Sequence, residues 1–263
     1  MTHTTTRAAL RGRPEYVVMK ATEASNWSLV HEALRVHASG YLSMGFVHDD
    51  AVTADGTIDP EIDQSRGDNT EYYLAVNAGA PDDRATLRKV RFAAGASVED
   101  FDAYQLCART LHAEGHGRLQ AMLGGVRPLA EISGLARTPG ASPAAVWHIL
   151  RAAVHDALRK EEVWFCCLVV STYDSLVRHL GTSFLGVLGD DVTIKDARVS
   201  SSIALRPVLI DTVLFLDSVL ADVEQADGAR RARLARSLIF FSDGIDDSLL
   251  SPQVAAFKAN ATG

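Results

Sequence analysis

Ala130-Glu131-Ile132-Ser133-Gly134-Leu135-Ala136-Arg137-Thr138-Pro139-Gly140-Ala141-Ser142-Pro143 is the stretch that decides the fold. Its first part, with Leu129, reads as a strand, Leu129–Leu135, that alternates Glu131 and Ser133 on one face with Ile132 on the other. Arg137 to Pro143 reads as a loop, and Pro143 suits the first turn of a helix. The helix follows over Ala144–Lys160, with Val146, Trp147, Ile149, Leu150, Ala153, Val154 and Leu158 on one apolar face. Next comes Val163–Ser171, VWFCCLVVS, apolar throughout as a strand buried on both faces is. Strand, polar loop, helix and buried strand together indicate an α/β sheet with a site at the loop.

Working toward the N-terminus, Tyr72–Val76 and Thr86–Phe92 read as two strands joined by a turn over Gly79–Asp83. Residues 48–70 are rich in Asp, Gly, Thr and Ser and read as a long loop, a length usually tied to function. Leu29, Val30, Ala33, Leu34 and His37 recur at helical spacing, with Ser25 as the expected cap and the pattern weakening by Gly40. Tyr16–Ala21 reads as a first strand. Working toward the C-terminus, Tyr173–Leu180 is a short helix closed by Gly181, and Ser183–Ile210 is β-rich. Val213–Val223 and Gly228–Phe241 are helical. The expected fold is α/β (α+β), a mixed and mostly antiparallel central sheet flanked by helices. The expected domain plan is a disordered tail over 1–14, one domain over 15–211, a helical extension over 212–250 and a tail over 251–263.

Composition narrows the function. The 263 residues are 47% hydrophobic and 22% charged, close to the globular average. A net charge of −7, from 26 basic and 33 acidic residues, argues against nucleic acid as the main partner. No apolar run reaches the ~18 residues of a membrane span, and no secretory h-region opens the chain. Three cysteines, two of them adjacent at Cys166 and Cys167, indicate no disulfide framework and point to the cytoplasm. His112 and His116 stand at i, i+4, but no third metal ligand accompanies them, so no metal is expected.

Over about residues 30–215 the chain resembles the GNAT acyltransferase superfamily, and within it the N-acyl amino acid synthases and acyl-homoserine lactone synthases. Glu32-Ala-Leu34-Arg35 with Tyr41 and Gly45-Phe46 is similar to the family's early helix. Glu61-Ile-Asp63 with Ser65, leading into Asn69–Ala75, is similar to its acidic loop. Leu87-Arg88 resembles its strand arginine. Ala130–Ala136 resembles its Glu-x-Ser-Arg strand, except that Gly134 stands where the arginine is usual. Arg137-x-x-Gly140-x-Ser142 is similar to its pantetheine loop, with Ser142 replacing Gly or Ala.

The resemblance implies transfer of an acyl group from a thioester to an amine. The donor is an acyl carrier protein or acyl-CoA, so acyl-phosphopantetheine or acyl-CoA is a co-substrate and no group is bound permanently. The acceptor is an amino acid or related small amine. The implied catalytic residues are Glu131 and Ser133, with Tyr173 protonating the leaving thiolate. Leu135, Arg137, Gly140 and Ser142 would hold the donor, through unpaired backbone N–H groups at a helix N-terminus. Arg35, Asp63 and Arg88 would bind the acceptor, with Arg66 and Asp68 as weaker candidates in the same loop. An acidic carrier protein predicts a basic patch, for which Arg151, Arg159, Lys160 and Arg178 are candidates. The C-terminal helices offer faces for self-association. Two alternatives stand beside this reading: an acyl-homoserine lactone synthase, and a catalytically silent GNAT-like module that binds a carrier or partner. Plain structural roles compete for each residue: a cross-strand ion pair for Arg88, a Gly-Pro turn with a capping Ser for the loop, and core packing for Trp27, Trp147 and Trp164.

Overall fold

The computed structural model describes residues 15–63, 69–92, 96–194 and 203–262. The calls on 1–14, Ser65, Arg66 and Asp68 lie outside the described residues. The described residues form eight strands and eight α-helices in two compact units, one built around 15–93 and 131–153, the other around 96–130, 154–192 and 204–262.

The first unit carries β1 (Tyr16–Ala21), α1 (Trp27–Ser43), β2 (Thr70–Asn77), β3 (Ala80–Arg91) and most of the strand that becomes β4 (Leu129–Arg137) below. β1 and β2 run antiparallel, as do β2 and β3, and β4 lies beside β3. Val30, Ala33 and Leu34 of α1 pack on Ala21 and Tyr72, and Ala38 packs on Val47, Ala51 and Ile58. The cap of α1 is Asn26, whose side chain accepts from Leu29 N at 3.1 Å, one residue past the expected Ser25. The helix does not weaken at Gly40 but passes through it. A Cβ there would lie 2.6 Å from the carbonyl oxygen of Arg137, so glycine lets α1 close on β4.

β3 begins six residues earlier than the sequence pattern indicates, because the turn is at Ala78-Gly79. Its register with β2 jumps from Val76↔Arg84 to Asn77↔Ala80, so Pro81, Asp82 and Asp83 are bulged out of the ladder. That bulge frees Asp83 from the ladder for contacts with Tyr16, Asn77 and Ser142.

In chain order after β3 come α2 (Asp102–Cys107), α3 (Ala113–Leu123), β4, α4 (Pro143–Leu158), β5 (Val163–Val169), α5 (Val170–Leu180), β6 (Leu185–Val187), β7 (Val192–Thr193), β8 (Ala204–Asp211), α6 (Phe215–Gln225), α7 (Gly228–Ser242) and α8 (Pro252–Thr262). In the second unit β8 lies between β5 and β6, antiparallel to both. Trp164, Phe165 and Cys166 of β5 are buried, as its continuous apolar run requires. Phe184, Phe215 and Phe241 meet edge to face around α6 and α7, with centroids 5.1 and 5.3 Å apart. Gly181 ends α5 at φ +87°, and Asp222 of α6 accepts from the N–H groups of Thr182 and Ser183 at 3.0 and 2.9 Å. Residues 252–262, read from sequence as part of a tail, form α8 with Val254 buried. No helix is long and apolar enough to cross a membrane.

One ring in the first unit sets a pH response. His148 stacks on Tyr16 with centroids 4.9 Å apart. Burial, then the nearby Arg151 charge, pulls its pKa down to about 4. The unfolded ring titrates near 6.5, so below that pH the unfolded chain takes up a proton that the folded chain refuses. The contribution is complete above pH ~6.5 and is lost as pH falls toward ~4; partial exposure limits it to about 1–2 kcal/mol. His148→Phe keeps the stack and removes the proton site. Urea midpoints measured from pH 7 to 4 should therefore fall less steeply for the variant than for the unaltered chain.

Candidate active site

The site is built on the α1-facing side of β2 to β4. Arg88 of β3 stands opposite Tyr72 of β2 in the register. It is 6% exposed, and Nη1 donates to Asp63 Oδ1, which is 7% exposed. Its Nε donates to Ser133 Oγ of β4 at 2.9 Å. Burial alone would lower the Arg88 pKa, but the Asp63 charge and hydrogen bond overcome it, with Tyr72 and Glu131 adding to them, and the net direction is up. Glu131, two residues before Ser133, is 3% exposed and close enough for its charge to act on Arg88. α1 completes the cluster. His37 Nδ1 lies 3.7 Å from Asp63 Oδ2, and Tyr41 meets His37 edge-on with centroids 4.1 Å apart. Burial pushes the Tyr41 phenol up to about 12.

Asp63, Arg88, Glu131 and Ser133 are thus brought together. Asp63 and Arg88 pair with each other, an ion pair between a loop and β3 rather than the cross-strand pair expected as the structural role of Arg88. His37 and Tyr41 join them, though the sequence reading placed His37 only on an apolar helix face. Their i, i+4 spacing on α1 was the available signal. Arg35 is not brought in: its side chain is 55% exposed and its nearest carboxylate is Glu32, at 4.0 Å. Arg91 faces the opposite side of β3 and donates from Nη2 to Glu71 at 2.6 Å, beside the fully buried Lys89, whose Nζ is 3.2 Å from the same carboxylate.

Gly134 stands where the resemblance expects an arginine. It has φ +60° in mid-strand, a conformation that glycine adopts freely and an L side chain does not. A Cβ there would also lie 3.4 Å from Arg88 Cβ and 3.6 Å from the His37 ring. Gly134→Ala is therefore expected to cost about 1–2 kcal/mol of stability. Gly134→Arg is expected to cost more, because it adds a second cation against buried Arg88. Thermal unfolding of the two variants checks the order.

The loop from Arg137 to Ser142 is more fully satisfied than its sequence suggests. Ala141 N donates to Thr138 O at 3.0 Å, closing a turn with Pro139 and Gly140 at its centre. Gly140, at φ +78°, fits the position that a type II turn reserves for glycine. Ser142 N donates to Asp83 Oδ1 at 2.9 Å, and Ser142 Oγ accepts from Ala144 N at 3.2 Å. Ala145 N donates to Ser142 O at 3.1 Å, and Pro143 has no N–H to give. The amides expected to be unpaired at the start of α4 therefore already have partners. Asp83 is bound in turn by Tyr16 Oη at 2.5 Å and Asn77 Nδ2 at 3.0 Å. Burial raises its pKa, but these hydrogen bonds, the Ser142 amide and Arg137 hold it below the usual carboxylate value. Arg137 donates to Ala141 O. Leu135 is half-buried on β4.

Tyr173 lies in the second unit, in the first turns of α5, with the Arg206 guanidinium 4.6 Å from its ring centroid. The tryptophans divide: Trp164 is 3% exposed, whereas Trp27 is 53% exposed. His112 is 3.2 Å from Asp190 and His116 is 3.2 Å from Tyr104, and no cluster of three potential metal ligands occurs among the described residues. Lys160 pairs with Asp156 at 2.7 Å.

The fold is mixed α/β with mostly antiparallel strands, and the Asp63–Arg88–Ser133 cluster is buried against its third and fourth strands. Among solved structures the chain is similar to FeeM, an N-acyl amino acid synthase from uncultured soil microbes, at 14% identity and TM-score 0.56, over 82% of this chain and 100% of that one. It is also similar to the acyl-homoserine lactone synthase LasI, at 13% identity and TM-score 0.50, over 76% of this chain and 91% of that one. These likenesses establish the fold. No protein-family model matches the sequence, and no curated protein matches it.

Proposed function

We propose that the chain is an N-acyltransferase that moves a fatty acyl group from a thioester, on an acyl carrier protein or CoA, to the amine of an amino acid or related small amine. The observation that carries this reading is the buried cluster of Asp63, Arg88, Glu131 and Ser133 on a fold shared with an N-acyl amino acid synthase. An amine attacks the thioester carbonyl only after losing a proton. The C–N bond forms, the C–S bond breaks, and the thiolate leaves with a proton. Glu131, directly or through water, is the group we assign to receive the amine's proton. Arg88 holds Asp63 and Ser133 by hydrogen bonds, so it positions the site. Two carboxylates on one buried face suit an ammonium arriving as substrate. The left-handed Gly134 turns the peptide that follows it, and the Leu135 N–H is the donor we assign to the thioester carbonyl. At the loop, Gly140 and Arg137 remain as contacts for the donor's phosphate.

Purified protein mixed with fatty acyl-CoA or acyl carrier protein and a panel of amines tests this reading. Amine-dependent thiol release supports it. Tight donor binding without release favours the silent module, and a lactone product from S-adenosylmethionine favours the lactone synthase.

A further inference from the structure

Asp83 holds a place that the chemistry above does not use. Its carboxylate sits at the N-terminus of α4, where Oδ1 accepts from Ser142 N at 2.9 Å. This is the end of a 16-residue helix at which the backbone dipoles favour a negative charge. The chain supplies that charge itself, from the β2–β3 bulge 59 residues earlier. Two further donors fix the same group. Tyr16 Oη of β1 and Asn77 Nδ2 of β2 donate to Oδ2 at 2.5 and 3.0 Å. Asn77 is held in turn, because its Oδ1 accepts from Gly79 N at 3.0 Å. Three elements thus meet on one half-buried carboxylate. The positive charge near the loop is already balanced. Arg137 acts on Asp83 and donates to Ala141 O. Arg84, whose N–H donates to Thr138 Oγ1 at 3.2 Å, pairs its guanidinium with Glu32. Neither arginine therefore brings an unbalanced charge to an arriving phosphate.

We propose that Asp83 is a specificity-determining residue that disfavours a phosphate at the loop from Arg137 to Ser142, an inference that rests on the acyl-transfer reading above and its donor at this loop. Donors are then selected by their pantetheine arm and acyl chain, and the phosphate adds little. An anion entering the loop has two courses. It displaces Asp83 and breaks the bond to Ser142 N, or it sits beside Asp83 and meets a like charge. Gly140 and Arg137 can still touch the phosphate, but Asp83 offsets that attraction. Both costs fall on the phosphate alone, since the pantetheine arm is uncharged. A purely structural Asp83 would behave differently: its loss would loosen the loop and weaken every donor alike.

The test uses the full chain, unaltered and as Asp83→Asn. Asparagine keeps an oxygen for Ser142 N and drops the charge. Calorimetry gives Kd for two probes with the same fatty acyl group, acyl-phosphopantetheine and acyl-pantetheine, which differ by one phosphate. With the unaltered chain the phosphate should change Kd by less than about twofold. In Asp83→Asn the Kd of acyl-phosphopantetheine should fall by about three- to tenfold, the scale of one half-exposed charge contact. The Kd of acyl-pantetheine should move by less than about twofold. Asp82→Asn removes the same formal charge from the exposed neighbour, and should move both probes by less than about twofold. Asp83→Ser drops the charge without placing an amide group beside Asn77, and should repeat the selective gain. Unchanged Kd values in both Asp83 variants overturn the proposal. An equal change for the two probes overturns it too, as does weaker binding of the phosphorylated probe alone. Discrimination with no thiol released to added amines keeps the role of Asp83 and defeats the acyl-transfer reading. Thiol release without discrimination does the reverse, and failure of every chain to bind either probe defeats both.

Discussion

Arg88→Met is expected to lower stability by about 3–5 kcal/mol, the cost of stranding a buried charge. Asp63 has 7% of its surface exposed, and Arg88 Nη1 is its bonded cation. Removing the guanidinium takes the Arg88 hydrogen bond from that buried carboxylate, and leaves Ser133 without the Nε donor. Asp63→Leu alone should cost a similar amount, with the charge left on Arg88. The double variant should recover part of the loss, because two apolar side chains bury without a charge penalty. Recovery should stop short of complete, because Glu131 also loses the positive charge it faces. Urea unfolding of the three variants gives the coupling energy. Additive losses would show that the pair is not a coupled unit.

Glu131→Gln should cut acyl transfer by about 10²–10⁴-fold, the usual range for a positioned proton acceptor. Glutamine keeps the size of the side chain and its hydrogen-bonding capacity, so the fold should survive. The loss should fall on kcat rather than on the donor's KM. It should also shrink as pH rises, because a free amine at high pH needs no base. A pH-rate profile with an amine of known pKa checks this. A loss that stays constant with pH would assign Glu131 to binding or structure instead.

Much of the fold was legible because its signals are local. Val163–Ser171 reads as a buried strand from its apolar run and Ala144–Lys160 as a helix from its stripe; the strand ends at Val169, where α5 begins, and the helix at Leu158. What failed was set by distant contacts. Gly40 resembles a helix breaker, yet its place is fixed by the Arg137 carbonyl almost a hundred residues away. Pro81 to Asp83 resemble a turn, and only the β2–β3 register shows that they bulge from a strand. The same bulge delivers Asp83 to Ser142, so the occupied Ser142 amide could not be read from its own loop. Within the site, Glu131, Ser133 and Arg88 were visible through their strand positions. The pairing of Asp63 with Arg88 spans 25 residues, and only the folded chain shows it. Gly134 is the instructive case. Against the resemblance it reads as a lost arginine, and the fold gives it a positive φ that an L side chain rarely adopts.

The most direct measurement is mass spectrometry of lipid extracts from cells expressing the chain, compared with cells expressing Glu131→Gln. The account predicts new N-acylated amines that disappear with the variant, and their masses would identify both substrates. Identical extracts from the two, together with no thiol release by purified protein from any acyl thioester offered with amines, would contradict it.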